Sequence, residues 1–199
     1  PLLPDSNVAM DDIINNAKNA SVEHMLCVSI DLETHGDVLA TAIKYPEVSA
    51  SVGVHPNCSS KNMEPSVEQL IDIASNDDIV AIGETGLDFF YEGFDGERQI
   101  RQFKTHITTA LEVKKPLIIH CRDASSSLIP LLKSENAEQV GGVMHCFVDD
   151  WDVALAAMDL GFFISFSGIV TFKNAGKLRL VAEKMPIEKI LIETDSPWL

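Results

Sequence analysis

Seven short runs rich in β-branched and apolar residues recur along this chain, and they constrain its fold more than any other feature. They are MLCVSI (25–30), VSASVGV (48–54), IVAIGE (79–84), PLIIHC (116–121), GGVMHC (141–146), FFISFS (162–167) and KILIET (189–194). Successive starts lie about 20 to 40 residues apart, which leaves room for a crossover helix between each pair. Helical periodicity fills most of the gaps. Val67, Leu70, Ile71 and Ala74 share one face, as do Ile100, Phe103, Ile107, Ala110 and Leu111; Val153–Leu160 and Leu178–Met185 follow the same rule. Pro116 and Pro186 stop helices just ahead of strands.

Runs that are apolar on both faces are buried parallel strands. A repeated β-α pattern of this kind leaves an open doubly wound sheet or a (β/α)8 barrel. No glycine-rich phosphate loop follows the early strands, which weighs against a dinucleotide fold. The 199 residues read as one domain, 1–199, with no linker, repeat family or low-complexity segment.

Composition narrows the function classes. Thirty acids against fifteen lysines and arginines give a net charge of −15, which argues against a grip on nucleic acid by bulk electrostatics but not against an enzyme that meets a phosphodiester through bound cations. Cys27, Cys58, Cys121 and Cys146 form no CxxC pair, so free thiols and a reducing, cytoplasmic setting are expected. The apolar stretch Gly161–Phe172 is too short to span a bilayer, and no signal peptide is visible.

Barrel enzymes gather their reactive groups at the C-terminal ends of strands. Here those ends carry His55, Glu84, His120 with Arg122 and Asp123, His145, and Asp195. A single histidine at a strand end is usually a hydrogen-bonded structural group, and a single glutamate there is commonly a helix-cap partner. As a set, placed at equivalent points of successive β-α units, they read as ligands converging on a metal site, because buried carboxylates need partners and one divalent cation satisfies several.

Six stretches carry a family likeness: VGVHP (52–56), IGETGLDFF (82–90), PLIIHCRDA (116–124), GVMHCF (142–147), ISFSGIVTFKNA (164–175) and ETDSPWL (193–199). In this order and over nearly the whole chain they resemble the TatD family of metal-dependent hydrolases and deoxyribonucleases, its YcfH-like branch in particular. One departure follows HCF, where many relatives carry Ser/Thr-Gly and this chain has Val148-Asp149-Asp150. The resemblance implies a TIM barrel of the metallo-dependent hydrolase type with two divalent cations at its mouth, magnesium first, with manganese or zinc as other choices. It implies that Glu84 bridges both cations, that His120 and His145 hold one, and that Asp195 binds the other and takes the proton of the attacking water. It also implies an HxH pair on an opening strand; the chain contains no HxH, so that strand is expected before Pro1 and a final helical end after Leu199.

The implied reaction is 3′-5′ exonucleolytic cleavage of DNA phosphodiesters, with no obligate protein partner and no membrane. The other readings are hydrolysis of a different ester or amide on the same scaffold, such as an aminoacyl-tRNA or a cyclic amide, and an inactive fragment. Arg122 reads either as a phosphate contact or as an ion-pair partner of Asp123 or Asp88, and His55 either as a substrate contact or as a structural group. Trp198 reads as a base-stacking or a packing residue, and Phe89, Phe90 and Tyr91 as a wall above Glu84.

Overall fold

The computed structural model describes residues 9–58 and 64–196. Seven strands form one sheet in chain order, each hydrogen-bonded in parallel to the next. They are β1 (Met25–Cys27), β2 (Val48–Val52), β3 (Ile79–Asp88), β4 (Leu117–Arg122), β5 (Gly142–Met144), β6 (Phe162–Phe166) and β7 (Ile190–Ile192). Seven helices alternate with them: α1 (Met10–Asn19), α2 (His35–Lys44), α3 (Val67–Ala74), α4 (Gly96–Val113), α5 (Ser125–Ser134), α6 (Trp151–Asp159) and α7 (Gly176–Lys184). Strictly sequential parallel order is the signature of a barrel wall; a doubly wound sheet reverses direction partway. The barrel reading of the strand runs therefore holds.

The core is the layer where strands meet helices. Ile82, Leu117, Ile119, Met144 and Ile164 from the strands, and Leu70, Phe103, Ile107, Leu128 and Leu132 from the helices, are essentially inaccessible. Each such side chain stabilises the fold by about 1.5–3 kcal/mol through burial. Helix α3 begins with a capping box, in which Ser66 Oγ accepts the Gln69 N–H and the Gln69 side chain accepts the Ser66 N–H. Helix α4 starts a turn earlier than its apolar periodicity suggests, because Asp95 caps it by accepting the Arg98 N–H at 3.0 Å. Asp150 does the same for α6, accepting the N–H groups of Asp152 and Val153. Part of the Val148-Asp149-Asp150 departure thus has a structural purpose.

Strand β3 runs four residues beyond its apolar pattern, to Asp88. A register shift between Ile82 and Thr85 marks a bulge, and Gly83 sits inside it at φ +149. A Cβ at Gly83 would lie 2.5 Å from the Ile118 carbonyl oxygen, so only glycine fits there. The Glu84 N–H donates to the Ser29 carbonyl at 2.8 Å and the Ser51 hydroxyl to the Gly83 carbonyl at 2.6 Å, which locks the bulge to β2 and to the segment that follows β1.

Among the described residues β1 and β7 do not pair with each other. Between them lies a cavity of about 740 Å³, lined by Met25, Leu26 and Cys27 on one side and Leu191 and Ile192 on the other. Ile192 is 86% exposed there. All four cysteines are unbridged. Among the described residues no helix is long and apolar enough to cross a membrane.

Candidate metal centre

Five of the seven strands deliver polar residues to one place. His55 follows β2, Glu84 sits in the β3 bulge, His120 is in β4, His145 follows β5, and Glu193 and Asp195 follow β7. The Oε1 atom of Glu84 is the hub. It lies 3.0 Å from His120 Nδ1, 3.6 Å from His55 Nε2 and 3.8 Å from His145 Nε2. His145 Nε2 also lies 3.3 Å from Asp195 Oδ1. Two sets of donor atoms close enough to share an ion result, His55 with Glu84 and His120, and His145 with Glu193 and Asp195.

Both inner histidines are held from behind by a carboxylate. His120 Nε2–H donates to Asp88 Oδ2 at 3.0 Å, and His145 Nδ1–H donates to Glu193 Oε2 at 2.9 Å. That fixes the tautomer of each ring when neutral and turns the other nitrogen's lone pair inward. A lone pair facing a carboxylate oxygen at 3.0 Å is repulsive unless a proton or a cation lies between them. His55 differs: its Nδ1 accepts the Asn57 N–H at 3.1 Å, so the neutral ring carries its proton on Nε2, which lies 3.2 Å from the lone pair of His120 Nδ1 and can donate to it. Glu193 Oε1 is buried without a hydrogen-bond partner. Converging ring nitrogens, shared carboxylate oxygens and an orphaned buried oxygen are the donor chemistry that divalent cations satisfy.

The electrostatics agree. Burial pushes the Glu84 carboxyl up, yet the His120 hydrogen bond and the fields of His55 and His145 outweigh it and hold it at about 2. Burial pushes His145 down, but its bonds to Asp195 and Glu193 and the nearby Glu84 carry it up to about 10. His120 is opposed by burial too and is raised by Asp88 and Glu84. His55 goes the other way, because burial dominates and takes it down to about 4. The pocket draws in positive charge, and protons and metal ions compete for the same lone pairs.

His120 lies nearest His55, and His145 nearest Asp195 and Glu193, while both histidines face the same Glu84 oxygen, at 3.0 and 3.8 Å. His55 points at the hub. Arg122 joins neither donor group and makes no ion pair with Asp88 or Asp123. Its guanidinium lies 3.6 Å above the Phe90 ring. Trp198 lies outside the described residues.

Sequence reasoning gave no role in the metal centre to Asp88 and Glu193, the carboxylates behind the two histidines. Their signal was position, since Asp88 closes β3 four residues after Glu84 and Glu193 follows β7 two residues before Asp195. Also missed was a polar stripe on α4. Gln99 brackets the Asp88 backbone, accepting its N–H at 2.8 Å and donating to its carbonyl at 2.9 Å. Gln102 donates to the Val54 carbonyl at 2.7 Å, and His106 accepts the Val54 N–H at 3.1 Å. All three are buried and hold the His55 loop and the end of β3 in place.

Comparison with known proteins agrees with this geometry. A family model described as "TatD related DNase" matches residues 4–199. The chain is 40% identical over 190 residues to the Escherichia coli K12 protein named "Uncharacterized metal-dependent hydrolase YcfH", covering 96% of this chain and 71% of that one. It is 34% identical over 190 residues to the Salmonella typhimurium "3'-5' ssDNA/RNA exonuclease TatD", covering 95% and 73%. Among solved structures, the Escherichia coli TatD homologue YjjV superposes with a TM-score of 0.87 at 29% identity, covering 96% of this chain and 76% of that one. With the family match spanning nearly the whole sequence, the chain belongs to the TatD family of metal-dependent hydrolases.

Proposed function

We propose that this chain carries the centre of a 3′-5′ exodeoxyribonuclease that hydrolyses phosphodiester bonds with metal-activated water. The observation that carries the reading is the convergence of His55, His120 and His145 nitrogens on a single Glu84 oxygen, with Asp195 alongside. Glu84, His120, His145 and Asp195 are the residues to hold two divalent cations, magnesium first, and His55 and Glu193 complete the donor groups. Cations bound there would acidify water and neutralise charge on the phosphate oxygens. Asp195 sits at the rim of the donor set, its side chain 26% exposed, where it can orient a water and accept its proton. His145 stays fixed by Glu193, with its Nε2 facing both Asp195 and Glu84 at 3.3 and 3.8 Å. Arg122, a planar fork with no carboxylate partner among the described residues, is suited to the phosphate. The relative named as an exonuclease supports nucleic acid as the substrate.

The net charge of −15 favours a second reading, a metal-dependent hydrolase of another ester or amide. One panel separates them. The full-length protein, stripped with chelator and reloaded with magnesium, manganese or zinc, is given single-stranded DNA, bis(p-nitrophenyl) phosphate, an aminoacyl-tRNA and cyclic amides. Metal-dependent release of nucleotides from the 3′ end is the expected result. Turnover of an amide with no phosphodiester cleavage under any metal would overturn it.

A further inference from the structure

Beside the donor groups lies a feature that the proposed chemistry leaves largely without a role. Phe90 and Tyr91, in the loop after β3, are 51% and 54% exposed. Their ring centroids are 5.2 Å apart at 86°, so the two rings form a corner. The Arg122 guanidinium lies 3.6 Å from the Phe90 centroid and 5.5 Å from that of Tyr91. Exposed aromatic rings in adjacent positions are costly in water and mark a surface that meets something flat and apolar.

The corner is tied to the metal centre. The Phe90 N–H donates at 3.0 Å to Asp88, the carboxylate that also holds His120. The Phe89 N–H donates at 2.9 Å to the Arg122 carbonyl, which pins the loop to β4. Phe89 and Phe94 stack at 4.5 Å and 15°, bracing the loop from within. Phe90 and Arg122 therefore keep a fixed position two residues beyond Asp88 and His120.

We infer that Phe90, Tyr91 and Arg122 form a subsite for one unpaired nucleotide next to the reacting phosphate. The inference deepens the nucleic-acid reading above and rests on it. The aromatic corner takes the base by stacking, which every base permits. Arg122, braced over Phe90, presents its N–H edge to that nucleotide's phosphate. A base within a duplex is already stacked and paired and cannot enter the corner, so the subsite selects single strands.

The test is binding, read apart from hydrolysis. The full-length, metal-loaded protein is titrated with a fluorescein-labelled oligothymidylate of about twelve nucleotides, within the usual range of single-strand sites. Phosphorothioate linkages slow its cleavage, and a blunt hairpin duplex is the comparison. Phe90→Leu and Tyr91→Ala should each weaken binding of the single strand about 5- to 150-fold. Phe90→Trp should restore it, which excludes misfolding as the cause. Moving one abasic residue along the three 3′-terminal positions should reveal one position that costs the unaltered protein as much as Phe90→Leu does, and costs that variant nothing more. Equal affinity for strand and hairpin, variants that bind like the unaltered protein, or abasic and side-chain losses that simply add would each overturn the inference. A protein that binds as described yet cuts no phosphodiester would sink the nuclease reading and leave the subsite standing.

Discussion

Asp88 Oδ2 and His120 Nε2 are 3.0 Å apart, and this pair decides which way the histidine faces. With Nε2–H committed to Asp88, only Nδ1 is free to meet Glu84, at 3.0 Å. Asp88 is itself 1% exposed and tied by Asn57 and by the Phe90 N–H, so it has little freedom to turn away.

Replacing Asp88 should therefore weaken metal binding without removing a metal ligand. Asp88→Asn keeps the shape but loses the charge that fixes the ring. Losing such a partner typically costs about 10- to 100-fold in metal affinity or activity. A metal titration of activity should show half-saturation moved to higher concentration by that factor, with the thermal midpoint little changed. An unchanged titration curve would assign Asp88 a purely structural role.

Asp195→Asn and Glu84→Gln should fail in different ways. Glu84 is the hub of three histidine nitrogens, so its loss releases metal, and excess manganese or magnesium should recover part of the activity. Asp195 sits at the rim, 3.3 Å from His145, and its proposed task is proton transfer. General-base help is worth about 10²–10⁴ in rate, which added metal does not replace. Turnover of both variants across a metal titration separates the two roles. Near-normal activity of Asp195→Asn would show that another group takes the proton.

Gly83→Ala should destabilise the fold by about 2–5 kcal/mol, combining backbone strain with overpacking. Its φ is +149, and the new Cβ would press on the Ile118 backbone and side chain, which belong to β4. Urea denaturation followed by circular dichroism measures the loss. A change under 1 kcal/mol, on the order of an ordinary surface substitution, would mean the bulge can relax.

Stability should fall with acid partly through His106. Burial depresses this ring to about 4, only partly offset by its bond to the Gln102 carbonyl. The unfolded chain, with the ring near its usual 6.5, takes up the proton first. His106 thus contributes its full share above about pH 6.5 and loses it as pH falls towards about 4, on the order of 3 kcal/mol in all. His106→Gln should be less stable at neutral pH and show a flatter pH dependence in that window. Parallel curves for the two proteins would remove His106 as a cause.

Much of this architecture was legible in the residues alone. The seven apolar runs became seven strands, and Val67–Ala74 became a helix with the same bounds, because patterns that bury one face are local properties of a chain. Strand-end positions of Glu84, His120, His145 and Asp195 were legible for the same reason. Local pattern did not reveal α1, α2 and α5, the last with Pro130 inside it, or the run of β3 on to Asp88. Gln99, Gln102 and His106 look like a solvent face by composition, yet they are buried against backbone groups some 11 to 52 residues away. Asp88 and Glu193 are ordinary carboxylates until the sheet sets them behind His120 and His145. Residue type and order determined the strands, the helices and the chemistry available at the strand ends. Only the tertiary structure decided which nitrogen of His120 and of His145 faces inward, because that choice depends on hydrogen bonds to carboxylates on or just after other strands, far away in the chain.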